Sequence, residues 1–225
     1  MTNQNVATWS GRAILWNRVK GTGTEPKNIG WGDSTVTASA NPNVNLFKPQ
    51  TEARTAGTST LTTTSQLADT YQVVGTITCA VGTKTITEAG LFDTTTLSPT
   101  TTVTASMTAA QASVLIGAAS GLATSSYYRQ LENETVLVTG GSNSTTETIV
   151  RGALGTTSAA HASGVATTIG GDGGTSGSGG TSGEAGTSKA SNAAFGGSMF
   201  AHADFAGVAL NVSDSINFTW LDQLT

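Results

Sequence analysis

The sequence is poor in the residues that catalysis, metal binding and nucleic-acid recognition draw on. Of its 225 residues only 11% are charged, two are histidine and one is cysteine. A single cysteine, Cys79, makes an intrachain disulfide impossible, so cross-linking does not hold this chain together. Set inside a β-branched run, it reads as a small core residue. Ten Lys and Arg against 14 Asp and Glu leave a formal charge of −4. There is no basic surface to neutralise phosphates, which argues against a nucleic-acid partner. One Cys and two distant histidines, His161 and His202, do not make a zinc set. Asp172, with Glu184 beyond it, lacks the D-x-[DN]-x-[DN]-G spacing of a calcium loop, so no metal and no cofactor are expected. No run approaches the roughly 18 consecutive apolar residues of a membrane-crossing helix. Met1-Thr2-Asn3-Gln4-Asn5 has neither the basic start nor the apolar core of a secretion signal. The expectation is a chain made and kept in a cytoplasm, with no membrane partner.

What is abundant is threonine, nearly one residue in five, together with 28 glycines. That is not the Leu/Ala/Glu/Lys profile of helical enzymes, and it fits many short strands with threonine-covered faces. The length allows one β domain or two smaller ones. Tyr71–Cys79 and Thr85–Asp93, joined by turn residues at Val81–Lys84, read as a hairpin. Alternation puts Thr85 and Thr87 on one face, and Ile86 and Glu88 on the other, with Gly90 leaving room for a neighbouring backbone. A carboxylate on an apolar face needs partners. Backbone N–H groups, Arg54 or Arg12 are the candidates, unless Glu88 is simply solvated at a strand end.

Trp31, between Gly30 and Gly32, reads as a buried indole in close backbone contact. Residues 34–64 read as a long loop anchored by Val44, Leu46 and Phe47, and Glu52 and Arg54 fall on one side of an extended segment, which permits an ion pair. Near the C-terminus, Met199–Phe205, Val208–Val212 and Ile216–Trp220 alternate as three strands, with turns at Ala206-Gly207 and Ser213-Asp214-Ser215. Gly21 and Gly23 form a G-x-G without the rest of a dinucleotide or P-loop signature, and are read as a turn. Over 6–18 a short helix competes with an arm or strand. There Trp9, Trp16 and Arg18 are candidate anchors, either on a neighbouring subunit or on the chain's own fold.

Catalysis finds little support. His202 shares a strand face with Phe200 and Asp204, an arrangement in which Asp204 orients a histidine base. No nucleophile-elbow or oxyanion-hole sequence accompanies it. His161 reads as hydrogen-bonding a loop backbone. No enzyme is expected.

Five separated motifs, I-G-W-G-D-S-T, T-E-A-R-T, T-I-T-E-A-G-L-F-D, G-G-S-M-F-A-H-A-D-F and D-S-I-N-F-T-W, occur in that order. Over about residues 25–97 and 195–225 they resemble a group of structural proteins of tailed bacteriophages, with Trp31, Glu52, Arg54, Glu88, Gly90, Phe92, Asp214 and Trp220 as structural motif residues. The string N-E-T-V-L-V-T-G-G…T-I-V-R-G-A-L-G-T-T-S-A-A-H-A-S-G-V is similar to a small β-module that recurs in phage virion proteins. The expected architecture is all-β: an N-terminal arm (1–24), a sandwich-like discontinuous host domain (25–100 and 190–225), an inserted β-module (101–169) and a Gly/Ser-rich strip (170–189). The resemblance implies a virion component assembled in the host cytoplasm. Composition and the Trp-bearing N-terminus favour a capsid decoration or cement protein over a tail fibre, collar or baseplate adaptor. The expected partners are copies of itself, in a trimer, and the major capsid protein.

Overall fold

The computed structural model describes residues 5–7, 11, 14, 15, 18, 21, 23–36, 45–97, 100–118, 126–141, 144–170 and 197–223. Trp9, Trp16, Arg12, Val44, Asp172, Glu184 and all but the first residue of the Gly/Ser-rich strip lie outside the described residues. The described elements are strands β1 (Asn5–Ala7), β2 (Asn28–Gly32), β3 (Thr55–Ala56), β4 (Thr58–Thr62), β5 (Thr70–Thr78), β6 (Lys84–Phe92), β7 (Thr100–Thr102), β8 (Ser113–Leu115), β9 (Tyr127–Leu131), β10 (Glu134–Gly140), β11 (Thr146–Val150), β12 (Ala166–Gly170), β13 (Met199–Leu210) and β14 (Ser215–Gln223). The protein is all-β. Among the described residues no helix is long and apolar enough to cross a membrane.

Two antiparallel sheets face each other. One has the order β1-β13-β6-β2-β3, the other β14-β5-β4. Alternation explains the packing: on β5, Val73 and Ile77 point inward, and across the sheet Trp220 lies opposite Val73 and Ile216 opposite Ile77. From the larger sheet Ile29, Trp31, Ala89, Leu91 and Ala201 meet them, and Cys79 sits in the same core. The strand pair β3 and β4, separated by Gly57, carries the chain from one sheet to the other, so this side is closed and the sheets form a half-barrel.

Two sequence expectations are corrected. The segment 199–212 is not two strands: β13 runs unbroken, and Ala206-Gly207 belong to a bulge between Asp204 and Val208 rather than to a turn. The 34–64 loop contains β3 and β4. Of the two readings of the N-terminal stretch, its described positions follow packing on the chain's own fold: β1 pairs with β13, a Cβ on Gly11 would strike the Phe200 carbonyl, and Ile14 is in the sandwich core.

Residues 100–170 build a separate six-stranded sheet, β7-β12-β9-β10-β11-β8. Its outer strands meet. Val103 bridges Ile116, Thr104 N–H donates to Leu115 O (2.9 Å) and Gly117 N–H to Thr102 O (2.9 Å), closing the sheet into a small barrel without open edges. The barrel has its own core, which includes Val114, Ile116, Leu131, Val136, Ile149 and Ile169.

A strap, residues 45–50, joins the two bodies. It lies beside Gly32 through the Gly32–Pro49 bridge, and Gln50 N–H donates to Trp31 O (3.0 Å). Toward the barrel, Asn45 Nδ2 donates to Ile169 O (2.8 Å) and Thr168 Oγ1 to Leu46 O (3.1 Å).

Candidate functional site

The motifs of the two chain ends converge under this strap. On β6 the face carrying Glu88, Gly90 and Phe92 turns away from the sandwich core, and Phe92 packs with Leu46 and Met199 instead. Glu88 is fully buried. Its Oε1 accepts Lys48 N–H (2.8 Å), and its Oε2 accepts Phe47 N–H (3.0 Å) and pairs with His202 Nε2 (2.9 Å). The carboxylate crosses Gly32 to reach these amides. A Cβ at Gly32 would collide with it, which is why β2 ends in glycine. The His202 ring stands edge-on to Phe47, 5.1 Å between centroids. Of the partners expected for Glu88, backbone N–H groups supply two, and His202 supplies the third in place of an arginine.

Arg54 is used differently. Gly30 and Gly90 lie opposite each other, and a Cβ on Gly90 would come within 2.7 Å of the Phe92 ring. Two missing side chains let Phe92 fold flat against the sheet, and the Arg54 guanidinium stacks over it at 3.4 Å and donates to Thr94 O (3.3 Å). Burial pulls the Arg54 pKa down, and the Asp93 carboxylate opposes that. The expected Glu52–Arg54 pair therefore does not form. Glu52 is paired with Lys84, and although burial would raise its pKa, Lys84 and backbone N–H groups hold it low.

The remaining motif residues are structural. Trp31 and Trp220 are buried, both with their indole N–H lacking an acceptor, and Asp214 ties its turn by accepting Asn211 N–H (2.7 Å). Arg18 is exposed and donates to Gly23 O (3.4 Å).

Glu88, His202 and Asp204 place one ligand atom each within 4.8 Å of one another. Imidazole and carboxylates are a fitting set for a divalent transition metal. Here both Glu88 oxygens already accept backbone N–H donors, and His202 Nε2, the atom a serine nucleophile would use, is engaged with Glu88 at 2.9 Å and lies 3.6 Å from Asp204. The geometry is that of a hydrogen-bonded staple holding the strap down.

The barrel holds two charge clusters that the sequence reading missed. Inside it, Arg129 forms a bidentate pair with Glu147 (Nε–Oε2 2.7 Å, Nη2–Oε1 2.6 Å), and the Tyr127 hydroxyl donates to the same carboxylate. The second cluster unites the module's signature residues. Glu134 accepts Arg151 Nε (2.7 Å) and Nη2 (2.6 Å), Gly152 N–H (3.0 Å) and Ala159 N–H (3.0 Å). His161 lies between Glu132 (2.8 Å) and Glu134 (2.9 Å), so both ring nitrogens face carboxylates, as an imidazolium requires. Burial would raise the Glu134 pKa, but Arg151, His161 and the two amides hold it well below the usual range. Burial would lower that of His161, but Glu134 and Glu132 raise it. His161 thus does more than bond the loop backbone.

The fold and these clusters define a half-barrel sandwich carrying a closed barrel, its buried charges neutralised in pairs. Comparison with known proteins finds no matching family model, no matching curated protein and no matching solved structure.

Proposed function

We propose that this protein is a non-enzymatic structural component of a tailed-phage virion, a decoration or cement protein on the outside of the head. The observation that carries the reading is the outer face of the three-stranded sheet. None of the outward positions of β4, β5 and β14 holds Asp, Glu, Lys or Arg; they are almost all Thr, Ser, Asn and Gln, with Val74 and Leu221. Such a face can be covered without burying an unpaired charge, and depletion of charge is what marks the centre of protein interfaces. The motif resemblance supports the same reading, as does the use of the buried charges to pin segments in place. The proposed partners are other copies of this chain, as a trimer, and the major capsid protein.

A second reading, a tail-associated adsorption or adaptor protein, is favoured by the closed barrel, a self-contained unit joined to the sandwich through a strap and suited to contact a receptor. Cryo-electron microscopy of particles with and without this protein separates the two. Loss of density at repeated sites over the head supports the first reading and loss confined to the tail the second. Identical particles overturn both.

A further inference from the structure

A cleft of about 390 Å³ opens at the end of the sandwich where β4 finishes and β5 and β13 begin. Its buried floor is Ile14 and Phe200 with the half-buried Tyr71, the two rings set edge to face at 6.4 Å. Leu61 is the informative residue. By register it sits opposite Tyr71 on the inward side of β4, yet it is 69% exposed. An inward-facing leucine left in water at the mouth of an apolar cleft marks a place where something else packs.

The rim has a sign. Among the described residues, Glu25, Asp69 and Asp222 line the cleft against one cation, Arg18, and Lys27 pairs with Glu25 from outside the lining (3.2 Å). Glu25 is ionised at neutral pH, because the Ser59 hydroxyl and Lys27 hold its pKa low against burial. Tyr71 stays neutral: burial and the Glu25 carboxylate push its pKa up, and its hydroxyl donates to Pro26 O (3.1 Å).

The wall beside Leu61 is built in advance. The Asp69 carboxylate accepts the N–H groups of Thr64 (2.9 Å), Ser65 (2.9 Å) and Gln66 (2.8 Å), and Gln223 Nε2 from β14 (3.0 Å). This nest fixes the β4–β5 loop with Ala68 in the left-handed region (φ 55°) and Leu67 90% exposed. A loop already ordered loses little entropy when a partner docks.

We propose that this cleft is a socket for an extended segment of a partner protein other than this chain. The segment lays one bulky aliphatic or aromatic side chain over Leu61 and Tyr71, and a neighbouring lysine or arginine beside Glu25. Apolar shape supplies the anchor and the acidic rim selects the flanking charge. The inference does not depend on whether the protein sits on the head or the tail.

The test is selection from a random-peptide library on the full-length protein, with Leu61→Lys as the counter-target. Leu61 is exposed, so the substitution leaves the fold intact, which circular dichroism checks; Leu61→Ala serves if it does not. The expected result is a consensus of an aromatic or Leu residue next to Lys or Arg, bound about tenfold more weakly by L61K and weakened by added salt. The proposal is overturned by an acidic consensus, by the absence of any consensus, or by peptides that bind wild type and L61K alike. It is also overturned if sedimentation shows a dimer that L61K dissociates, since the occupant is then a second copy of this chain.

Discussion

Glu88→Gln tests the staple by changing almost nothing but charge and one acceptor. Three donors converge on the wild-type carboxylate: Lys48 N–H on one oxygen, and Phe47 N–H and His202 Nε2 on the other. Glutamine keeps the shape but has one carbonyl oxygen. If that oxygen takes the place that Phe47 and His202 address, the new amide NH₂ faces Lys48 N–H, donor against donor. A buried donor left without an acceptor costs about 1–3 kcal/mol, and the surviving bonds lose their charge assistance, about 1 kcal/mol more. The expected loss is therefore about 2–4 kcal/mol, or on the order of 10 °C in melting temperature for a chain of this size. Urea titration should show a lower midpoint with the slope unchanged, and hydrogen exchange should quicken at Phe47 and Lys48 before it does in the barrel. A midpoint within about 0.5 kcal/mol of wild type, with those amides still protected, would show that the strap is held by its apolar contacts alone.

His161 and Glu134 predict opposite arms of a pH profile. The His161 pKa is raised in the fold, so its stabilisation is complete below the unfolded value of about 6.5 and is lost as pH rises through the raised value. Glu134 is lowered, so its contribution is present above the ordinary carboxylate value of about 4.3 and disappears as pH falls. His161→Gln should flatten the alkaline arm of the unfolding free energy; a constant offset from wild type between neutral and alkaline pH would contradict this. Arg129→Met strands Glu147 inside the barrel and should cost about 3–5 kcal/mol in chemical denaturation, much of it recovered by Arg129→Met with Glu147→Leu; equal losses for the single and double variants would count against the pairing argument. Gly90→Ala drives a methyl to within 2.7 Å of the Phe92 ring and 3.0 Å of the Met199 sulfur and should cost about 1–3 kcal/mol, read from the denaturation midpoint; no change would mean that the Phe92 stack shifts freely.

The parts of this structure that could be read from sequence are those set by local pattern. Period-two alternation in Tyr71–Cys79 and Thr85–Asp93 is enough to place a hairpin, and a carboxylate among apolar residues at Glu88 is enough to demand partners. Which partners is a different matter, since Phe47 and His202 lie 41 and 114 residues away and only the assembled sheet brings them together. Glu52 and Arg54 fall on one side of an extended segment, which permits a pair but does not select it. Lys84, 32 residues away, took the carboxylate, and the open face of Phe92 took the guanidinium. Ala206-Gly207 has turn composition, but β13 stays paired with β6 on both sides of it, Asp204 opposite Glu88 and Val208 opposite Ile86, and the extra residues are absorbed as a bulge. The Glu134 cluster depends on strand register: Val150 lies opposite Leu137 in a hairpin, which brings Arg151 close to Glu134 at one end of the barrel.

The proposed role makes this chain a building block of a particle, and its copy number in that particle is the most direct test. Quantitative mass spectrometry of purified virions, with the major capsid protein as the internal standard, should return on the order of hundreds of copies, as a lattice-covering protein with a charge-free face requires. Absence from the particle, or presence at only a few copies, would contradict it.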